Sequence, residues 1–476
     1  MSTDYRNFLA LSYDELEDLN LQAKAERANR VAADEIRDRR LQYLANEKRI
    51  KAVTVLFSDL EGRLHLLDYD KKFLLDSYEN LTFDGSSIRG FTAQKESDLR
   101  LGIDWAAFYW VPADVFGTGK VVVFGNVIDK DGTPYSGDMR GVLKTYTDKL
   151  YKEKQYTLNA ATEIEGFLFQ GKDAEQKYHE TGKFEFISAG GYFHSMPLDP
   201  LRQFIDVSAE VQRAMGFQNE KDHPEVAPSQ FEINYSYAEA VAAADQIQLY
   251  KLLCRQIANN MGFTASFLPK PIVGVNGSGM HTNVSVSKGK TNLFWDEKGE
   301  EQLSKFGWDF LDRILTHALD LCLVFNSSVN AYRRLDPHFE APNQIRASAV
   351  DRGAMIRVPI GNHRSMRTEV RAVAPDANPY LTLYGIFKTG IDGEMSKAKD
   401  LRSGGRYLPD NIQKAIDDFK ASKWIAQILS ADVQGRYVDL KQAAAHRSPR
   451  DLGNIVKGSE VQFHHAVYNQ SLWNLF

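Results

Sequence analysis

Acidic side chains occupy positions in this sequence where a buried strand would ordinarily carry apolar ones. In Ala161-Thr162-Glu163-Ile164-Glu165-Gly166-Phe167-Leu168-Phe169, the two-residue period of a strand puts Glu163 and Glu165 on one face. Phe167 and Phe169 continue that face, and carboxylates in line with phenylalanine mark a face that lines an enclosed site. The plainer alternative is an edge strand with one wet side. His223-Pro224-Glu225-Val226-Ala227-Pro228-Ser229-Gln230-Phe231-Glu232 adds two carboxylates. Their odd separation sends them to opposite faces of a continuous strand, but Pro228 favours a break that lets both turn toward one site. Asn276-Gly277-Ser278-Gly279-Met280-His281-Thr282-Asn283-Val284-Ser285 is a glycine-rich approach into a strand on which His281, Asn283 and Ser285 share a face. Arg367, Glu369 and Arg371 share another, with Arg333, Arg334, Arg346, Arg352 and Arg357 upstream. These arginines form either a self-neutralising surface ladder or guanidinium groups aimed at phosphate and carboxylate, a role that suits arginine better than lysine. Several carboxylates with one histidine make a hard-oxygen site for Mg²⁺ or Mn²⁺ rather than a cysteine-rich zinc site. Beside an arginine cluster, the corresponding chemistry is metal-assisted phosphoryl transfer.

The elements that must position these groups follow from periodicity. Residues 13–49 are rich in Ala, Glu, Arg and Leu and lack Gly and Pro, which predicts one or two helices. Val53–Phe57 and Arg63–Leu67 flank Asp59-Leu60-Glu61-Gly62 and predict a β-hairpin, and Lys120–Phe124 predicts a further strand. Beyond residue 135, helices are expected at 138–153, 199–216, 237–262 and 303–328, with strands at 159–169 and 280–287. The fold class is therefore α+β, a small β domain followed by a large α+β domain. Gly117-Thr118-Gly119-Lys120 is not a P-loop, because Asp114 stands where a glycine is needed and a strand follows the lysine. Gly85-Ser86-Ser87 and Gly277-Ser278-Gly279 lack the spacing of a serine-hydrolase nucleophile elbow.

With 476 residues, 43% hydrophobic and 25% charged, the chain has the make-up of a soluble globular protein of two or more domains. A net charge of −5 gives no reason to expect nucleic acid or an anionic membrane as a partner. Cys254 and Cys322 stand alone in apolar helical contexts, which fits buried thiols in a reducing compartment rather than a disulfide framework. The first residues lack a signal-peptide pattern and no apolar run reaches membrane-spanning length, so a cytoplasmic protein is expected.

Together, these segments resemble the glutamine synthetase family from about residue 50 to at least 395. The resemblance includes Phe83-Asp84-Gly85-Ser86-Ser87-Ile88 with Glu96-Ser97-Asp98, the Glu-x-Glu strand, Gly190-Gly191-Tyr192-Phe193 and His223–Ala227. It continues through Asn276–His281, Tyr332–Leu335, Phe339–Pro342, Asp351-Arg352, Arg357-Val358-Pro359, Glu369–Arg371 and Pro375–Tyr380. Each motif is weak alone, and their shared order is specific. The resemblance implies an N-terminal β-grasp domain at 50–135 and a catalytic domain at 136–476, preceded by a helical extension at 1–49. It also implies ATP-dependent ligation of ammonia to the γ-carboxylate of glutamate, with two divalent ions.

By the same resemblance, Glu165, Glu225 and Glu232 would hold one metal, and Glu163, His281 and Glu369 the other. Asn276, Gly277, Arg334 and Arg371 would grip glutamate, and His223, Asn283, Ser285, Arg357 and Arg367 would face ATP. Asp84, Ser87, Tyr192 and Glu225 would form the ammonium pocket, Arg352 would stabilise the tetrahedral adduct, and Glu340 would sit on a closing loop. The Asp84 loop would serve a neighbouring subunit, implying a homo-oligomer, a double-ring dodecamer, with sites between chains. Three features depart from the family pattern. Asn283 replaces the second histidine of Met-His-x-His, the N-terminal extension is longer than usual, and the stretch 393–408 lacks the surroundings of an adenylylated tyrosine around Tyr407. Adenylylation is therefore not expected. The apolar 467–476 segment would dock on another subunit or pack on its own domain. Two rivals remain: a ligase joining glutamate to an organic amine or polyamine, and a silent structural or regulatory relative, which would be expected to lose metal ligands.

Overall fold

A computed structural model describes residues 11–92, 97–335, 341–398 and 401–446. Glu340 and the 467–476 segment lie outside the described residues.

The Ala/Glu/Arg-rich start folds as two helices, α1 (Tyr13–Ala28) and α2 (Ala33–Asn46). Ser12 and Glu15 cap α1 reciprocally, and the chain turns at Arg30, which has a φ of 52°. Leu16 and Ala23 of α1 and Ile36 and Leu44 of α2 are buried in the core of the five-stranded sheet that follows. Its strands are β1 (Ala52–Ser58), β2 (Leu64–Asp70), β3 (Leu81–Asp84), β4 (Asp98–Trp110) and β5 (Lys120–Ile128), in the order β2-β1-β5-β4-β3. The expected hairpin is the antiparallel β1–β2 pair, whereas β1 and β5 run parallel. Strand β4 was not legible beforehand, because its register shifts between Ile103 and Phe108 and spoils the alternation.

The second sheet has ten strands: β6 (Tyr156–Gln170), β7 (Asn219–Pro224), β8 (Gln230–Tyr235), β9 (Ala238–Glu239), β10 (Phe263–Ser266), β11 (Met280–Lys288), β12 (Thr291–Asn292), β13 (Gln344–Ser348), β14 (Ala354–Arg357) and β15 (Thr368–Val370). Its main path is β13-β14-β15-β11-β6-β8-β7. The long β6 pairs antiparallel with β11 through Tyr156–Ile164 and with β8 through Glu165–Phe167. The helix Ala240–Met261 packs against β6, and its Tyr250 hydroxyl donates to the Ile164 carbonyl at 3.1 Å. One expectation is corrected. Instead of a single helix at 303–328 there are two, Lys305–Thr316 and Ala318–Phe325. The chain turns at His317, whose Nδ1 lies 2.7 Å from Asp320 and whose ring stacks on Trp424. The second helix can then pack against the helix Ile412–Ala421. No helix among the described residues is long and apolar enough to cross a membrane. Both cysteines are buried and unbridged.

Two polar joints connect the sheets. Arg140, fully buried at the start of the helix Met139–Lys154, forms a bidentate pair with Asp245 at 2.8 and 2.9 Å. It also donates to Asp104 of β4 at 2.9 Å and Asn126 of β5 at 2.6 Å. Asp245 further accepts from Tyr380 at 2.8 Å and pairs with Arg27 of α1 at 3.3 Å. At the second joint, Asn378 caps the helix Pro379–Asp392 and donates to the Leu60 carbonyl in the β1–β2 turn at 3.1 Å. Gly62 of that turn has a φ of +90°, and a Cβ there would meet the Asn378 backbone at 2.6 Å, so a side chain is excluded twice over.

Removing a buried guanidinium strands the carboxylates it neutralised. Arg140→Met is expected to destabilise the protein by about 3–5 kcal/mol, read as a lower urea midpoint, whereas exposed Arg37→Met should leave the midpoint within error.

Candidate active site

Antiparallel register assembles the site from strands distant in sequence. Glu163 of β6 lies opposite His281 of β11; Asn283 lies opposite Glu369 of β15, and Glu369 opposite Arg357 of β14. On the other side of β6, Glu165 lies opposite Glu232 of β8, and Glu232 opposite His223 of β7. The β7–β8 connection at 225–229 turns at Ser229, with a φ of 61°, and brings Glu225 onto the same side as Glu232. The break expected at Pro228 is this turn.

Two donor trios result, with the ligand atoms of each trio within 4.8 Å of one another: Glu163, His281 and Glu369, and His223, Glu225 and Glu232. His281 Nδ1 lies 3.7 Å from Glu163 and 3.9 Å from Glu369. Asn283 donates to Glu163 at 3.1 Å, and the buried Glu369 is held by Arg357 at 3.0 Å and Arg371 at 2.8 Å. In the second trio, both His223 nitrogens lie 3.5 Å from a carboxylate, Nδ1 from Glu225 and Nε2 from Glu232. His223, expected to face ATP, thus stands where Glu165 was expected. Glu165 accepts instead from the Gly279 amide at 2.8 Å and from Gln230 at 3.3 Å, while its other oxygen is 4.0 Å from His281.

Glu163 and His281 of the first trio and Glu225 and Glu232 of the second, with Glu165, line a cleft of about 240 Å³ that is also lined by Tyr192, Asn276, Gly277, Arg334, Arg352, Arg357, Arg367 and Arg371; Glu369, His223 and Asn283 stand behind these residues. Gly277 has no room for a side chain, since a Cβ would meet the Pro269 carbonyl at 2.5 Å. Arg334 is buried and donates through one nitrogen to the Arg371 carbonyl at 2.9 Å, leaving Nη1 without a hydrogen-bond partner. Arg367 donates to Asn283 at 2.8 Å, so the asparagine at the second-histidine position ties an arginine to the Glu163 carboxylate. Tyr192 stacks on Phe193 and meets the His223 ring edge-on at 5.5 Å.

Not every expected residue reaches this cleft. Ser285 shares the face of His281 and Asn283 but does not line it. Asp84 and Ser87 do not line the cleft of their own chain; they sit exposed at the end of β3, where Asp84 accepts from the Ser86 and Ser87 hydroxyls at 2.6 and 2.7 Å. Sequence reasoning missed Lys221 and Gln230, which line the cleft. Each lies two residues before an expected one, His223 and Glu232, so the same strand period could have found them.

The electrostatics reflect crowded carboxylates. Burial, then the nearby Glu225 and Glu232, push the Glu165 carboxyl well above the usual carboxylate range. Burial and Glu232 push Glu225 up to about 7. Burial also works against Glu163, yet bonds from His281 and Asn283 hold it down at about 2. Burial and Arg371 lower His281, which favours the neutral imidazole a metal requires. His223 Nε2 is buried without a hydrogen-bond partner. Five carboxylates, two imidazoles and no thiolate are a donor set for hard divalent cations, so these residues fit a pair of Mg²⁺ or Mn²⁺ ions.

The family model "Glutamine synthetase, catalytic domain" matches residues 136–453, and "Glutamine synthetase, beta-Grasp domain" matches residues 49–130. The chain belongs to the glutamine synthetase family. Its relatives include the glutamine synthetase of Methanosarcina mazei, 36% identical over 420 residues (83% of this chain, 91% of that one). Another is that of Staphylococcus epidermidis, 35% identical over 425 residues (84% and 93%). Among solved structures, a GmaS/ADP complex aligns with TM-score 0.75 at 24% identity, covering 89% of this chain and 98% of its own. A Plasmodium falciparum glutamine synthetase aligns with TM-score 0.77 at 19% identity, with the same coverage. These two likenesses establish the fold: a β-grasp domain followed by a large catalytic domain of mixed helices and sheets. The family is one of ligases that use ATP and divalent metal ions.

A protonated Glu225 must lose its proton before it can bind a cation. Mn²⁺ affinity is therefore expected to rise with pH, by up to about tenfold per unit for each proton displaced, and to flatten above about 7. In Glu225→Gln the affinity should be weaker and its pH slope shallower, as measured by calorimetric titration from pH 5.5 to 8.

Proposed function

We propose that the protein joins ammonia to the γ-carboxylate of L-glutamate, converting ATP to ADP and phosphate through a γ-glutamyl phosphate. The observation that carries this reading is the meeting of two hard-donor trios with five arginines at one cleft. A carboxylate is a poor acyl donor, because attack on it must expel oxide. Transfer of the ATP γ-phosphoryl group to the glutamate γ-carboxylate turns that oxygen into a phosphate leaving group.

Arg334 and Arg371, with Asn276 and Gly277, bind and orient glutamate; the unpartnered Nη1 of Arg334 supplies a donor for a carboxylate oxygen. Arg357 and Arg367 face the ATP phosphates, with Asn283 holding Arg367 in place, and Arg352 stabilises the oxyanion of the tetrahedral adduct. Glu163, His281 and Glu369 would hold one divalent ion. Glu225 and Glu232 would hold the other with Glu165 or His223, whichever turns inward. Ions held there would supply positive charge against the phosphate oxygens.

Ammonium has no lone pair and must give up a proton before it attacks. Asp84, with Ser87, Tyr192 and Glu225, forms the anionic pocket that binds it, and the Asp84 carboxylate takes the proton. Hydrogen bonds from Ser86 and Ser87 hold Asp84 below the usual carboxylate range, ready ionised. Because Asp84 and Ser87 do not line their own chain's cleft, this reading requires them from a second copy and hence a homo-oligomer, a double-ring dodecamer. Glu340, outside the described residues, has in this reading the task of keeping water from the acyl phosphate. The domain division at 50–135 and 136–476 and a cytoplasmic location belong to the same reading.

Phosphate release is measured with glutamate, ATP and either ammonia or a panel of small amines and polyamines. Ammonia is expected to be the best acceptor; faster turnover with an amine would replace the glutamine assignment. Asp84→Ala should lower glutamine formation by about a hundredfold or more while ADP still binds, and unchanged turnover would remove Asp84 from this role.

A further inference from the structure

A second cavity, of about 230 Å³, lies under α1 and shares no lining residue with the catalytic cleft. Much of its wall comes from the N-terminal extension, to which the proposed reaction gives no task. α1 and the turn after it contribute Lys24, Arg27 and Arg30, and the helix Ala240–Met261 contributes Gln246 from the other side. Phe108, Met215 and Ala242 supply apolar surface between them.

Two of the three cations are already neutralised. Arg27 pairs with Asp245 at 3.3 Å and Arg30 with Glu239 at 3.5 Å. Among the described residues Lys24 has no carboxylate partner; its ammonium donates to the Gln218 side-chain carbonyl at 2.9 Å, and burial lowers its pKa. Gln246 is 5% exposed, yet its Oε1 has no hydrogen-bond partner. Buried amides are ordinarily satisfied by protein, water or ligand. The cavity thus offers one unbalanced positive charge, one buried unpaired amide oxygen, and apolar walls between them.

We propose that this cavity binds a small monocarboxylate with an apolar or aromatic body, its carboxylate on Lys24 and a hydroxyl or amino donor on Gln246. Such a ligand would bridge α1 and the helix that carries Asp245, and would tighten the extension onto the rest of the molecule.

The test is calorimetric titration of the full-length protein with phenylacetate, 4-hydroxyphenylacetate and L-phenylalanine, each at saturating ADP and glutamate so that the catalytic cleft is filled. At least one probe should bind one per chain and slow amide exchange within residues 20–30. Lys24→Ala, a change at the cavity mouth, should weaken that probe about tenfold or more. Gln246→Leu should weaken 4-hydroxyphenylacetate or phenylalanine more than phenylacetate. Failure of all three probes to bind, undiminished binding in both variants, or displacement by ADP would overturn the proposal. Displacement would place the cavity within the nucleotide site.

Discussion

The structure depends on a concentration of like charge that no folded protein would hold without purpose. Glu163, Glu165, Glu225 and Glu232 line one cleft and Glu369 stands against His281 beside it, drawn from three strands and a turn and all shielded from solvent to differing degrees. Two of them answer the crowding by retaining protons, and one by pairing with two arginines. Divalent cations relieve the same repulsion far more completely, and each proton released is one a cation can replace.

Such a site requires a rigid floor. β6 is held by β11 through Tyr156–Ile164 and by β8 through Glu165–Phe167, so Glu163 and Glu165 cannot swing apart without breaking a ladder. Behind the sheet, Asp245 gathers Arg140, Arg27 and Tyr380 into one buried cluster. Through Asp104 and Asn126, that cluster fastens the β-grasp sheet to the catalytic domain. The exposed Asp84 loop at the end of β3 is thereby carried on a fixed arm.

Asn283 shows how a departure from a family pattern can be absorbed. Its amide donates to Glu163 and its carbonyl accepts from Arg367, so it links a carboxylate of the first trio to a guanidinium of the cleft. A neutral imidazole in its place offers one donor and one acceptor as well. The local hydrogen-bond pattern is thus compatible with either side chain.

The sequence by itself determined which strands carry the chemistry. A period of two placed Glu163 with Glu165 and His281 with Asn283, Pro228 announced the turn between Glu225 and Glu232, and the ordered motifs identified the family. Ladder registers are a different matter. The choice of His281 to face Glu163, or of Glu232 to face both Glu165 and His223, arises from pairings across tens of residues that local pattern does not encode. The same holds for His223 entering the second trio, for the break at His317, and for the cavity under α1. Each is fixed by packing between segments remote in the chain, and side-chain periodicity within a segment carries no information about its neighbour in space.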